Sequence, residues 1–289
     1  MRLALFPASG FLMRSEWKLL TASISNCVTR MQPGPYIMPV PLFRTDADVC
    51  ADSINASIGN VFDQLTILAN EVVEIWRREA ALGKKPSSKD LAVLKPKIDA
   101  QLQGSKSCMH GTGVVLEPGE LDDCEMYLEW WRMGSAGKAV PMTLNFNRRS
   151  ESFYNYQSMP WFARPKNTGS NVVVGPYVDL YGADMYIMTF SLPIHVDGRF
   201  VGIAGADIAL HRFERILLSS LIKMENEALI VSEEGRIIAA NTANWTVGDM
   251  AHQAMNRQET GCRVIELGEA AAHWSLVQRP CKRKHRGAA

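Results

Sequence analysis

The 289-residue sequence has little of what marks a membrane-spanning or strongly charged protein. No apolar stretch reaches the roughly 18–20 residues that a membrane-spanning helix needs, and no convincing signal-peptide cleavage site follows the apolar start at 1–13. The 31 Lys and Arg residues nearly balance 30 Asp and Glu residues, and the short basic cluster at 282–286 is typical of a solvated tail rather than a nucleic-acid contact. These patterns predict a soluble cytoplasmic protein, with the periplasm as the alternative location.

The sequence also lacks the motifs of metal sites and of common enzymes. Its six cysteines are far apart and its six histidines occur singly, which argues against a disulfide framework, a zinc finger and a His-x-x-x-His hydrolase site. It contains no Gly-x-Ser-x-Gly turn, no phosphate-binding loop and no dinucleotide-binding glycine pattern. We therefore predict a protein that is not an enzyme and that uses no cofactor or metal.

Apolar periodicity first indicates helices. Residues 1–50 have no sustained period and predict an irregular extension, whereas residues 51–82 repeat apolar side chains at three- and four-residue spacing, as a long amphipathic helix does. Ser88 is the predicted cap of a second helix over 90–102, which Pro96 could kink. These two helices form a predicted helical segment at 51–104.

Strand-like runs follow Gly104. Two apolar runs around Asp197-Gly198 are a strong signal of a β-hairpin. A helix at 208–224 then leads into a smaller repetition of hairpin, short helix and strands. The predicted strands are 114–116, 126–131, 141–146, 185–196, 199–207, 228–232, 236–241, 262–267 and 273–277, and the predicted short helix is 250–257. This order predicts an α+β fold with two unequal antiparallel sheets.

Four short motifs carry a family resemblance: Trp161-Phe162, Gly175-Pro-Tyr-Val-Asp179, Ser191-Leu-Pro-Ile194 and Gly202-Ile-Ala-Gly-Ala-Asp-Ile208. In this order the sequence resembles the double Cache family of small-molecule sensor domains. The resemblance implies a long first helix followed by two PAS-like units, the second of them short here. The implied domains are an extension at 1–50, the helical segment at 51–104, a ligand-binding unit at 105–225, a smaller unit at 226–280 and a basic tail at 281–289.

The same resemblance implies a set of ligand-binding residues: Tyr154, Met159, Trp161, Phe162, Tyr177, Asp179 and Asp207. Met159 stands where amino-acid-binding members carry an Arg that holds the ligand's carboxylate. Because Met cannot form paired charge-assisted hydrogen bonds, this departure makes an amine a better candidate than a carboxylate. Two carboxylates among aromatic faces suit an ammonium group, and cation–π contact adds about 0.5–2 kcal/mol.

Several alternatives remain open from the sequence alone. Arg148, Arg149 or Arg164 could reach the pocket and restore a positive charge. Asp207 could instead cap the following helix, and Trp161 with Phe162 could simply anchor a loop.

The function also has two alternatives. One is a small enzyme that uses Asp207 with Tyr177. The other is a ligand-free scaffold that forms a homodimer through the helix at 51–82. If the protein is a sensor, the same helix is the predicted dimer contact, and its output partner is an unidentified protein.

Overall fold

A long first helix organises the fold. The computed structural model describes residues 44–104, 107–180, 185–251, 261–268 and 273–280, all of which lie in one compact unit. Helix α1 spans Asp46–Ala81. Thr45 and Asp48 exchange side-chain and backbone hydrogen bonds in a capping box, which fixes the start of the helix. Helix α1 therefore begins five residues before the predicted start at 51.

The second predicted helix is two elements. Ser88–Leu94 is a 3₁₀ helix, and helix α2 follows directly at Lys95–Gln103. Pro96 lies in the first turn of α2, where a missing N–H costs no hydrogen bond, so it starts this helix and does not kink a longer one. The cap is Ser87, which forms a capping box with Asp90, and not the predicted Ser88.

The larger sheet has six antiparallel strands in the order β3-β2-β1-β6-β5-β4. Its strands are β1 (Met109–Leu116), β2 (Leu128–Met133), β3 (Ala139–Pro141), β4 (Val172–Asp179), β5 (Met185–Val196) and β6 (Arg199–Ala209). The strand predicted at 141–146 is wrong for most of its length, because β3 ends at Pro141 and the chain then leaves the sheet.

The two faces of this sheet carry different layers. Helix α1 and helix α4 (Leu210–Leu221) cover one face, where the Phe190 ring lies 5.6 Å from that of Phe62 and 5.5 Å from that of Phe213. Helix α3 (Pro160–Thr168) covers part of the opposite face through Phe162. The face under α3 is the one that carries the candidate site.

The smaller sheet has the strand order β8-β7-β10-β9. Its strands are β7 (Glu227–Val231), β8 (Ile237–Ala240), β9 (Arg263–Glu266) and β10 (Ser275–Arg279). Buried Trp274 contacts Phe213 of α4 with ring centroids 5.7 Å apart, so one hydrophobic core joins the two sheets through α4. The predicted α+β class, with a long first helix and two antiparallel sheets, is confirmed.

Some predicted segments fall outside the described residues: nearly all of the extension, most of the short helix at 250–257, and the basic tail. In the part of the chain that is described, no helix combines the length and the apolar character that crossing a membrane requires. The homodimer stays a prediction. The outer surface of α1 carries exposed Asp63, Gln64 and Arg77, while Glu71 is half-buried and pairs with Lys97 at 3.2 Å.

Two glycines provide a test of how tightly the large sheet is packed. A Cβ at Gly113 would lie 2.0 Å from the carbonyl oxygen of Glu129, whereas a Cβ at Gly59 in α1 would have no atom within 4 Å. We expect Gly113→Ala to lower the free energy of unfolding by about 2 kcal/mol or more, because backbone atoms of β2 must move. Gly59→Ala should raise it by about 0.5–1 kcal/mol. Urea denaturation of both variants would check this, and equal stability of the two would contradict it.

Candidate functional site

One extra residue in β4 decides which side chains reach the site. Val174 pairs with Thr189 of β5, but the next pair is Tyr177 with Ile187, so β4 has a bulge around Gly175. Gly175 has φ +121°, and a Cβ there would lie 2.8 Å from the carbonyl oxygen of Ile187. Because side chains alternate along a strand, the bulge moves Tyr177 and Asp179 from the α1 face to the face of Val174 and Thr189.

Two cavities lie on this face and share part of their walls. The outer cavity has a volume of about 450 Å³, and the inner chamber about 40 Å³. Tyr154, Trp161, Tyr177 and Asp179 line both of them. An outer volume of this size is within the range of small-molecule sites in proteins.

The predicted site residues divide into three groups in the structure. Tyr154, Met159, Trp161, Tyr177 and Asp179 line the outer cavity. Asp207 lines the inner chamber, together with Thr189 and Trp130. Phe162 is fully buried behind the site, where its ring contacts those of Tyr156 at 5.1 Å and Phe200 at 5.6 Å.

The neighbouring residues Trp161 and Phe162 therefore have different roles: Trp161 lines the cavities, and Phe162 anchors helix α3 to the core. Phe162 anchors the start of α3, helped by buried Tyr156, whose hydroxyl donates to the carbonyl oxygen of Leu116 at 2.8 Å. Lys166 pairs with Glu117 at 2.6 Å and fixes the other end of α3. With α3 held in this way, the Trp161 indole is left to line the cavities.

Asp207 does not cap a helix. The residue at the N-cap position of α4 is Ala209, and the cap involves no side-chain hydrogen bond. Asp207 instead accepts a hydrogen bond from Thr189 Oγ1 at 2.7 Å, and it is only 7% exposed. The capping alternative for Asp207 is thus wrong, and its carboxyl group belongs to the inner chamber.

A short chain of hydroxyl groups leads to this carboxyl. Tyr177 Oη lies 2.6 Å from Thr189 Oγ1. Because the Thr189 proton is donated to Asp207, the Tyr177 proton is donated to Thr189. Burial raises the pKa of Asp207 to about 7, although the Thr189 hydrogen bond acts in the opposite direction. Burial, followed by the charge of Asp207, also raises the pKa of Tyr177, which stays protonated.

Trp130 is a chamber residue that the sequence analysis did not select. It is 6% exposed and lies over glycines of β1 and β6: a Cβ at Gly205 would be 3.0 Å from its ring, and one at Gly111 would be 2.8 Å from its Nε1. Gly111 is directly opposite Asp207 in the strand register. Small residues in two adjacent strands therefore make a flat surface on which a wide ring fits beside the carboxyl.

Arg148, Arg149 and Arg164, the three arginines that could have brought a positive charge into the pocket, do not line either cavity. Arg148 pairs with Glu125 at 3.0 Å, and Arg164 pairs with Glu233 at 2.6 Å; Arg149 is exposed in the preceding loop. The outer cavity is instead lined by Arg236, together with Glu234, from the turn between β7 and β8. No local pattern indicated these two residues, because they belong to the other sheet.

Residues 102–215 match the family model for the first PDC sensor domain of proteins like methyl-accepting chemotaxis proteins. The comparisons support a sensor domain of the PDC, or Cache, type in this chain. The matched segment contains all seven predicted site residues and the whole large sheet. The matched family is a sensor domain rather than an enzyme.

Two chemotaxis proteins are similar in sequence over part of the chain. PscA of Pseudomonas syringae pv. tomato is 28% identical over 29% of this chain, and TlpQ of Pseudomonas aeruginosa is 30% identical over 37% of it. The chain matches only 13% and 18% of the lengths of these relatives. The similarity is therefore to part of each receptor.

Solved structures agree on the fold. The sensory domain of the Campylobacter jejuni chemoreceptor Tlp3 has a TM-score of 0.57 at 12% identity, covering 82% of this chain and 91% of its own. The ligand-binding domain of the Pseudomonas aeruginosa amino acid chemoreceptor PctB, in complex with L-Arg, has a TM-score of 0.53 at 14% identity, covering 84% and 95%. At such identities the likeness shows the fold alone.

The predicted cytoplasmic location is wrong. The matched family is a sensor domain of chemotaxis-type receptors, and the sequence relatives PscA and TlpQ are methyl-accepting chemotaxis proteins. These findings point to the periplasm. The prediction failed because the composition of a domain reports its solubility and not the compartment in which it works.

The raised pKa of Asp207 gives a test of its burial. The folded protein keeps this proton up to about pH 7, whereas the unfolded chain releases it near the ordinary pKa of 3.8. The contribution of Asp207 to the free energy of unfolding therefore falls as pH rises from about 4 to 7. In Asp207→Asn this fall is absent. The free energy of unfolding of the variant minus that of the wild type should therefore increase between pH 5 and pH 7 and stay constant above that range.

Urea denaturation at intervals across this pH range measures the difference. Asp63→Asn is the matched control, because Asp63 is exposed on α1. A constant difference between Asp207→Asn and the wild type would show that Asp207 is ionised in the folded protein at all these pH values.

Proposed function

We propose that this chain is the ligand-binding part of a sensory signalling protein and that its cavity binds a small molecule carrying an amino group. The unit at 105–225 supplies the binding site in this proposal, and the smaller unit at 226–280 lies next to it. The observation that carries the proposal is the pair of carboxylates, Asp179 and Asp207, in adjoining cavities walled by aromatic rings.

The charge of the inner end favours a cation. Asp179 and Asp207 are acceptors, and Thr189 and Tyr177 already direct their protons towards Asp207. An ammonium group would replace the lost hydration of Asp207 with a charge-assisted hydrogen bond, which contributes about 1.5–3 kcal/mol. A carboxylate at the same position would face Asp179 and, above about pH 7, the ionised Asp207, in a place with little hydration.

The aromatic walls support the same class of ligand. Tyr154, Trp161 and Tyr177 line both cavities, and Trp130 lines the inner one. Ring faces attract ammonium groups through their quadrupoles, by about 0.5–2 kcal/mol according to desolvation. Met159, which lines the outer cavity, adds polarizable contact without charge. A small amine with an apolar body therefore matches the walls better than a simple carboxylate does.

Binding experiments with matched ligands test this proposal. We expect primary amines to bind more tightly than carboxylates of the same carbon skeleton in isothermal titration calorimetry. Asp207→Asn keeps the size of the side chain and removes its charge, so it should weaken amine binding by about 1.5–3 kcal/mol, or tenfold to a hundredfold. Tight binding of a dicarboxylate that is unaffected by Asp207→Asn would contradict the proposed polarity.

The affinity for an amine should also depend on pH. A free amine with an ordinary pKa above 9 stays charged at pH 6–8, whereas ligand-free Asp207 loses its proton near pH 7. Amine affinity should therefore rise from pH 6 to pH 8 in the wild type and change little in Asp207→Asn. His110 faces the charge of Asp179, but burial and nearby arginines lower its pKa, so it contributes less in this window. Affinity that falls with rising pH would contradict the role of Asp207.

A further inference from the structure

The turn between β7 and β8 brings two charged residues of the smaller sheet to the outer cavity. Glu234 and Arg236 both line this cavity, and both are exposed. Arg236 is also held in place, because its Nη1 donates to the carbonyl oxygen of Gly248 at 3.0 Å and its backbone forms a bridge with Met250. Arg236 is thus a partly fixed cation on the wall of a cavity whose other charged groups include Asp179.

The position of this turn relative to the first unit is fixed by a second contact. Glu233, in the same turn, pairs with Arg164 of α3 at 2.6 Å. Helix α3 carries Trp161, which lines both cavities. The turn is therefore joined to the helix that walls the cavity.

The charges of the site are distributed along its depth. Asp207 lines only the inner chamber, Arg236 lines only the outer cavity, and Asp179 lines both. A ligand with its amino group at Asp207 and Asp179 would extend into the outer cavity, where Arg236 offers a planar group that pairs well with a carboxylate or phosphate. The volume of about 450 Å³ leaves room for such a second group.

We infer that Arg236, from the smaller sheet, determines specificity by binding an anionic group at the far end of the ligand. This inference rests on the proposed function, because it needs the amino group at the inner end. The class of ligand is then a molecule with a cationic and an anionic group separated by a carbon chain. Glu234, which lines the same wall, repels the anionic group and reduces the affinity that Arg236 adds.

The test compares two series of probes by calorimetry: straight-chain monoamines of three to six carbons, and the ω-amino carboxylates with the same number of carbons between their ends. In the wild type, at least one amino carboxylate should bind more tightly than its matched monoamine. Arg236→Gln should weaken that amino carboxylate by about threefold to fivefold, the size expected for an exposed ion pair. It should not weaken the monoamine.

Three further variants separate direct contact from other effects. Glu234→Gln removes the opposing charge and should strengthen the amino carboxylate. Arg148→Gln also removes a positive charge and an ion pair, with Glu125, but it takes no group from the cavity and makes no contact with the turn between β7 and β8, so it should leave the ratio between the two probes unchanged. Arg236→Lys, which keeps the charge, should retain part of the preference, and it remains informative if loss of the Gly248 contact destabilises Arg236→Gln. Higher ionic strength should reduce the preference of the wild type.

The outcomes distinguish this inference from the proposal beneath it. If monoamines bind and are weakened by Asp207→Asn, but the ratio between the probes ignores Arg236→Gln, the inference is overturned and the proposed function stands. A change of ratio in Arg148→Gln as large as in Arg236→Gln would also overturn it, because the effect would then come from the overall charge of the protein and not from contact. If no amine of either series binds the wild type, both fail.

Discussion

The bulge in β4 is the constraint on which the candidate site depends. A strand without the extra residue would turn Tyr177 and Asp179 to the opposite face of the sheet, where Val178 and its partner Tyr186 are exposed to solvent, so neither side chain would reach the cavities. The bulge requires glycine at position 175, because a φ of +121° and the close approach of the Ile187 carbonyl oxygen leave no place for a side chain. The polarity of the cavity thus follows from the backbone geometry of one residue.

Buried polarity is the second condition of the site. Asp207 lies on a central strand of the large sheet with one hydrogen-bond donor, Thr189, among the described residues. Folding removes most of the water around this carboxyl group. Because the charged form is the one that needs this water, the pKa of Asp207 rises and the group keeps its proton. Such a group is poorly satisfied in the ligand-free protein, and a cationic ligand replaces what the protein does not supply.

Much of the fold could be predicted from the sequence, because apolar periodicity and the turn at Asp197-Gly198 are local signals. The exact ends were less predictable, since Thr45 and Ser87 cap their helices through contacts with side chains three residues away. The irregular path after Pro141 had no local signal, since an apolar run there resembles a strand.

The site was predictable only where its residues lie in the motifs of the resemblance. Alternation along a strand places Tyr177 and Asp179 on one face, but only the bulge decides which face it is. Thr189 was detectable as a polar residue in the apolar run at 185–196, and Trp130 alternates correctly in β2. Arg236 was not, because its contribution depends on how the smaller sheet is placed against α3, which is a tertiary property.

The glycines beneath Trp130 have a consequence for how this sheet tolerates change. A Cβ at Gly111 would lie 2.8 Å from Nε1 of the indole, and one at Gly205 would lie 3.0 Å from its ring, so neither position accepts a side chain unless the indole moves. Enlarging either position displaces the ring, and a smaller side chain at position 130 leaves a gap above the glycines. Changes at Trp130 and at these two glycines are therefore coupled, because a larger residue at either glycine requires a smaller one at position 130. Relatives that share this cavity should keep or lose the three residues together.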